Sequence, residues 1–252
     1  MRVLVLGGTG EARRLAEAAS GSMEVVLSLA GRTADPRLPA VRVRIGGFGG
    51  AAGLQAWLAA EGIDAVVDAT HPFAARISAN AALACRQAGL PLARLERPAW
   101  LAGDGDDWRP VPDMAAAAAA LGPRPRRVFL SIGRQEVAAF AAAPWHNYLI
   151  RAIEAPVLPP ALTGARVILA RGPFTAAAEE ALLRAENIEV IVSKNAGGPA
   201  TAAKLAAARR LALPVVMVAR PEKPAGMPLP ATVPAALEWL HHVASTTTPR
   251  GV

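Results

Sequence analysis

The chain holds one cysteine, Cys85, in 252 residues. A single thiol excludes an intrachain disulfide and any thiolate metal cluster. Cys85 stands in an Ala-rich helical pattern, where a buried structural thiol is expected. Aromatic residues make up only 4% of the chain. No basic run with interleaved aromatics occurs, which argues against a nucleic-acid surface. Apolar runs are broken by Pro, Gly or charge well before the ~20 residues that cross a bilayer. No membrane span is therefore expected. Arg2 is followed by four apolar residues and then glycine, too short a stretch for a secretory signal. A cytoplasmic protein is the default expectation. G-x-S-x-G, H-E-x-x-H and a complete Walker A loop are all missing, and no histidine ligand cluster stands in their place. His146, His241 and His242 read as packing or surface residues, and no metal is expected.

What is present is a large apolar fraction, 53%, and an excess of base, with 27 Lys and Arg against 20 Asp and Glu. The first bounds the chain to one large or two modest domains with a substantial core. The second favours anionic partners, phosphates or carboxylates. Short apolar runs alternate with Ala-rich helical patterns. Strands are predicted at 2–6, 24–29, 41–45, 65–69 and 92–95, with helices near 11–20, 51–61 and 73–88. The stretch "RPAWLAGDGDDWRPV" has Pro, Gly and three aspartates without period, and reads as a linker. A second series follows, with strands at 127–132, 148–153, 167–170, 189–192 and 215–219. Its helices fall near 113–121, 134–142, 175–186, 199–211 and 234–243. Apolar strands alternating with helices give an α/β fold with mainly parallel sheets covered on both faces. Two domains are expected, 1–97 and 98–252, and "STTTPRGV" reads as a frayed tail.

The first strand runs into Gly7-Gly8-Thr9-Gly10-Glu11 and then a helix. A dinucleotide site needs such a turn: glycines let the backbone approach a pyrophosphate, which the helix N-terminus then faces. The third glycine of the fingerprint is missing, since Arg13 stands in its place. A plain strand-to-helix corner is the alternative. The next strand, "VVLSLAGRT", ends without the carboxylate that would hold a ribose 2′-hydroxyl. Ser28 and Arg32 are there instead. A guanidinium suits a 2′-phosphate, which it can grip with two hydrogen bonds, so NADPH is expected over NADH. "GGFGG" (46–50) follows the third strand and allows close ligand approach, or is a flexible loop. "DATHPFA" follows the fourth, placing Thr70, His71 and Phe73 at its end. His71 could face the nicotinamide or donate a proton.

Ligands of open α/β sheets gather beyond the carboxyl ends of the strands. At those ends the sequence repeats cations: Arg97; Ser131 with Arg134 in "LSIGRQE"; Arg171; Lys194 with Asn195 in "VSKNAGG"; and Arg220. Facing one rim, they form a cationic wall suited to an acidic substrate held in a cleft between two domains. Taken singly, each could be a satisfied helix-flanking charge. Lys194 could bind a carboxylate, approach a cofactor phosphate or donate a proton.

"LVLGGTGEAR", "GGFGG", "DATHPFA", "SIGRQE" and "SKNAGG" occur in this order and at about this spacing in the precorrin-6A reductase family of cobalamin biosynthesis. The chain resembles that family over residues 1–244, with "DATHPFA" and "SKNAGG" the most specific stretches. The resemblance implies two Rossmann-like domains with a ligand cleft between them, residues 1–97 binding NADPH and 98–252 binding a tetrapyrrole. It implies an NADPH-dependent oxidoreductase that reduces one double bond of precorrin-6A to give precorrin-6B. The substrate's acetate and propionate groups match the basic rim. The cofactor residues implied are Gly8, Thr9, Gly10, Glu11, Ser28, Arg32, Thr70, His71 and Phe73. The substrate residues are Arg97, Ser131, Arg134, Arg171, Lys194 and Asn195, with His71 and Lys194 as candidate proton donors.

Three alternatives stand beside this reading. One is the branch that reduces cobalt-precorrin-6A. Another is an NADPH reductase of a smaller acid. The third is a non-catalytic NADP(H)-sensing module, which would have no need of a cationic wall. A monomer is expected, since no broad apolar stripe is evident, with its product passed to other enzymes of the pathway.

Overall fold

A computed structural model of the chain describes residues 1–31 and 38–246. Strands and helices alternate as the apolar periodicity requires, and they form two units. One comprises Met1–Pro98 with Glu222–Val252, the other Ala99–Pro221.

The first unit is built on β1 (Arg2–Leu6), β2 (Glu24–Leu29), β3 (Arg42–Ile45), β4 (Ala65–Asp68) and β5 (Leu92–Arg94). The sheet order is β3-β2-β1-β4-β5, and every pairing is parallel. Successive side chains of β1 serve opposite faces, which is why the strand reads as one unbroken apolar run. Val3 and Val5 lie in a core with Leu15, Ala16 and Ala19 of α1 (Gly10–Ala19) and Ala236 and Leu240 of α7 (Val233–Thr246). Leu4 and Leu6 lie in another, with Leu54 and Leu58 of α2 (Gly50–Ala60) and Ala81, Ala84 and Cys85 of α3 (Ala75–Ala88). Burial pushes the Cys85 thiol up to about 12, with the Asp68 carboxylate adding to the effect. It is a core thiol, as expected.

The expected boundary, 98–252 as one domain, is corrected here. From Glu222 onward the chain belongs to the first unit. The physical reason is the apolar face Ala236–Leu240–Val243 of α7, which completes the core over Val3, Val5 and Leu15. A strap precedes this helix. Pro228 O accepts from Arg94 N at 2.9 Å and Pro230 O from Glu96 N at 3.0 Å. Proline accepts but cannot donate, so the strap covers β5 and ends the ladder there.

The second unit contains β6 (Trp108–Val111), β7 (Arg127–Ser131), β8 (Asn147–Ala152), β9 (Arg166–Leu169), β10 (Val190–Lys194) and β11 (Val215–Val218). The order is β6-β11-β10-β7-β8-β9, again parallel throughout. Counted from β7, the order β9-β8-β7-β10-β11 repeats that of the first sheet. α5 (Ala176–Ala185) and α6 (Ala203–Arg210) contact one another. Residues of both join Phe129, Ile191 and Met217 in one core. α4 (Met114–Ala120) contacts β11 and β6.

Three expectations change in this unit. Trp108–Val111 of the supposed linker is an edge strand; four residues including Pro110 carry no periodic signal, and pairing with β11 makes them a strand. The helix predicted at 134–142 is a 3₁₀ segment, Val137–Ala142. The helix predicted at 199–211 begins at Ala203, because Gly197, Gly198 and Pro199 hold the chain in a loop first, both glycines having positive φ.

Candidate functional site

In the first unit the strand order reverses between β1 and β4, the switch point at which α/β sheets take ligands. The Gly7–Gly10 turn stands there. A Cβ on Gly7 would lie 2.7 Å from Leu27 Cδ1, and Gly7 N donates to Ser28 O at 2.8 Å. Glycine at this position lets β1 leave the sheet tight against β2. Gly8 is different: its φ is +111°, with nothing within 4 Å of a Cβ built there. Its backbone is open to an approaching anion. Thr9 caps α1, accepting from Ala12 N at 3.0 Å. Its hydroxyl also donates to Ala69 O at 2.8 Å, bracing the turn against the end of β4. Gly10 opens the helix, and Glu11 in its first turn pairs with Arg97 at 3.1 Å and Arg14 at 3.5 Å.

The end of β4 supplies a residue that sequence reading passed over. Asp68, inside the motif "DATHPFA", is 1% exposed. Its Oδ1 accepts from the Thr70 hydroxyl at 2.6 Å and from Thr70 N at 3.1 Å. The carboxylate thus shapes the turn that presents His71. A buried acid at the end of an apolar strand was the available signal. His71 Nδ1 accepts from Phe73 N at 3.2 Å. In the neutral ring this leaves the proton on Nε2. The His71 and Phe73 rings lie 5.8 Å apart. Ser28 is buried within β2. Arg32 lies outside the described residues.

The GGFGG segment is held rather than loose. Arg44 donates to Gly46 O and Gly47 O, both at 2.7 Å. Its guanidinium lies 3.8 Å from the centre of the Phe48 ring, which in turn meets Trp57 edge-on at 5.3 Å. This cation–π stack fixes the loop.

In the second unit the corresponding reversal lies between β7 and β10. Ser131 and Lys194 are the last residues of those strands. Lys194 Nζ lies 3.4 Å from Glu136 Oε1, and Arg134 pairs with Glu154 at 2.7 Å. A depression of about 280 Å³ beside them is lined by Arg134, Gln135, Ala138, Ala155 and Val157. Arg171 follows β9, immediately before Gly172-Pro173. Of the cations the sequence places at these strand ends, Arg134 and Lys194 each have a carboxylate neighbour. Arg97 belongs to the first unit, on Glu11.

Asn195 and Arg220 are used by the fold. Asn195 Oδ1 accepts from Trp100 N at 2.8 Å, and its Nδ2 donates to Trp100 O at 3.0 Å. Arg220 donates to Asn195 O at 2.9 Å and to Ala196 O at 3.2 Å. Behind this loop lies a buried group unmarked in the sequence. Arg151 of β8 makes a two-pronged pair with Glu179 of α5 and stacks on Phe174 at 3.9 Å. Lys204 of α6 is 2% exposed; burial, and then the charge of Arg151, push its ammonium down to about 7 against the pull of Glu179.

Among the described residues, no group of three or more His, Cys, Asp or Glu is placed to hold a metal. No helix among them is long and apolar enough to cross a membrane.

Residues 2–241 match the protein family described as "Precorrin-6x reductase CbiJ/CobK". The chain is 51% identical over 252 residues to a precorrin-6A reductase of Rhodobacter capsulatus, covering 100% of this chain and 99% of the relative. A solved structure titled "CobK precorrin-6A reductase" superposes with a TM-score of 0.91 at 51% identity, over 100% of this chain and 99% of that one. A cobalt-precorrin-6A reductase of Methanothermobacter thermautotrophicus is 29% identical, over 88% of this chain and 77% of the relative.

Proposed function

The chain belongs to the precorrin-6x reductase family, and from that premise we propose that it reduces one double bond of precorrin-6A with NADPH, giving precorrin-6B in cobalamin biosynthesis. The metal-free substrate is favoured over its cobalt counterpart by the gap between 51% and 29% identity. The observation that carries the cofactor reading is the glycine turn at the β1/β4 reversal, open above Gly8. The residues after β2, Ala30-Gly31-Arg32, include no carboxylate.

These residues fit a dinucleotide. Gly8 and the start of α1 would hold the pyrophosphate, and Arg32 with Ser28 the 2′-phosphate. When bound, the nicotinamide supplies a hydride. The chain's own residues orient and neutralise. Asp68 and Thr70 set the turn that carries His71, the candidate to donate a proton or to contact the nicotinamide amide. Arg134, Arg171 and Lys194 hold the substrate carboxylates. Glu136 and Glu154 keep this cationic set from being a featureless positive surface, so that only carboxylates at matching positions displace them favourably.

The test is anaerobic NADPH oxidation by the purified protein, with and without precorrin-6A, alongside Arg32→Ala. Oxidation should require precorrin-6A. Arg32→Ala should weaken apparent NADPH affinity by roughly tenfold or more, the worth of a charge-assisted pair, and leave NADH little changed. Tight NADPH binding without oxidation by the folded protein would overturn the reductase reading and favour the sensing module.

A further inference from the structure

Lys204 is an expensive residue where it stands. Its side chain is buried in the first turn of α6, the end of a helix that disfavours a cation. Arg151 is a second buried cation nearby, and the one carboxylate of the group, Glu179, already takes both prongs of Arg151. Methionine would fill a similar volume without desolvating a charge. What methionine could not do is donate a hydrogen bond or sit as a cation on a ring. Lys204 does both: Nζ donates to Thr201 O at 2.7 Å and lies 4.8 Å from the centre of the Trp100 ring.

Trp100 is the other half of the device. Its backbone is bracketed by the Asn195 amide, and its indole Nε1 donates to Gly198 O at 2.9 Å. Arg220 ties Asn195 O and Ala196 O. The carbonyls of Asn195, Ala196, Gly198 and Thr201 are thus all held from outside the loop or from its far end. Gly197 and Gly198, both at positive φ, supply the turn and no side-chain packing, so these ties add to the loop's own backbone bonds, Ala196 N to Lys194 O at 2.8 Å and Ala202 N to Pro199 O at 3.2 Å. Lys194, at the end of β10, is the residue from which this loop departs.

We propose that Lys204 and Trp100 are a positioning pair that clamps the loop 195–202 and thereby sets Lys194 and the carboxyl end of β10 for the substrate. The functional half of this statement rests on the assignment of Lys194 to substrate binding made above. Lys204 touches no reacting atom; it acts through Trp100 and the Thr201 carbonyl. The pair resembles a tent peg driven from the protein interior: the charge is buried so that the loop can be fixed at the surface.

The experiment uses full-length Lys204→Met and Lys204→Arg, with hydrogen–deuterium exchange and steady-state kinetics on precorrin-6A. Lys204→Met should melt cooperatively, with a midpoint no lower than the wild type at pH 7. Exchange across 195–202 should be about tenfold faster, with β9 unchanged, as expected for local opening. KM for precorrin-6A should rise about tenfold with kcat within a factor of about two, the pattern of lost uniform binding. Lys204→Arg keeps a cationic donor and a ring contact, and should recover most of both changes. Unchanged exchange in folded Lys204→Met would overturn the clamp, as would Lys204→Arg behaving like Lys204→Met. Faster exchange with unchanged KM would leave the clamp standing and remove Lys194 from the substrate site.

Discussion

The two units share one strand order and put different chemistry on it. At the reversal of the first sheet, β1 ends in glycines and a capped ten-residue helix follows, with a buried acid at the end of the adjacent β4. At the reversal of the second, β7 runs into Gly133-Arg134 and a 3₁₀ segment, and β10 ends in lysine. Helix N-termini and open backbone suit a phosphate; cations with carboxylate neighbours suit a polycarboxylate. The scaffold sets where a ligand can approach, and the residues at the strand ends set which ligand it is. A second difference lies deeper. The face of the first sheet covered by α1 and α7 is an apolar, alanine-rich core. The second unit buries Arg151, Glu179 and Lys204 among its core residues.

That contrast can be broken most severely at Glu179. Glu179→Ala leaves Arg151 and Lys204 buried without a counter-charge, and should destabilise the second unit by about 3–5 kcal/mol. Urea denaturation followed by hydrogen exchange would read it, with the first unit losing protection last. Uniform loss across both units would show that they unfold together.

Lys204 gives a smaller, pH-dependent effect. Its proton is held less tightly in the folded protein, at about 7, than in the unfolded chain, where lysine titrates near 10.5. Between those values the unfolded state binds more protons, so this group makes stability rise with pH. The increment from pH 7 to pH 9 should be about 2 kcal/mol in the wild type and absent in Lys204→Met. The difference between the two proteins isolates the lysine.

The smallest effect separates two matching caps. Thr9 caps α1 and Thr175 caps α5, each accepting from a backbone N–H three residues on. Thr9→Ala and Thr175→Ala should each cost about 1 kcal/mol of stability. Only Thr9→Ala should also weaken NADPH binding, because its hydroxyl braces the glycine turn against Ala69. Calorimetry on both variants would show whether the first unit alone holds the cofactor.

Much of this molecule was legible along the chain. The alternation of apolar strands with Ala-rich helices, the parallel sheets, the glycine turn and the positions of Lys194 and Arg134 at strand ends all follow from local periodicity and turn chemistry. So does the buried character of Cys85. The motif residues that mark the family are likewise a property of the chain alone. These features depend on neighbours in sequence, where side-chain spacing decides the backbone.

Other features needed the fold. The membership of α7 in the first unit, the strand at Trp108–Val111, and the Arg134–Glu154 and Lys194–Glu136 pairings are set by what the topology brings together. Arg151 and Glu179 are 28 residues apart and Asn195 and Trp100 are 95 apart. No periodicity links such residues. A buried lysine reads in sequence like any helical lysine, since its burial is a property of the surfaces closed over it. Chain order determined the elements and the chemistry at their ends. Only tertiary structure decided which charges are neutralised and which loop is held, because electrostatic and hydrogen-bond partners are chosen by distance in space.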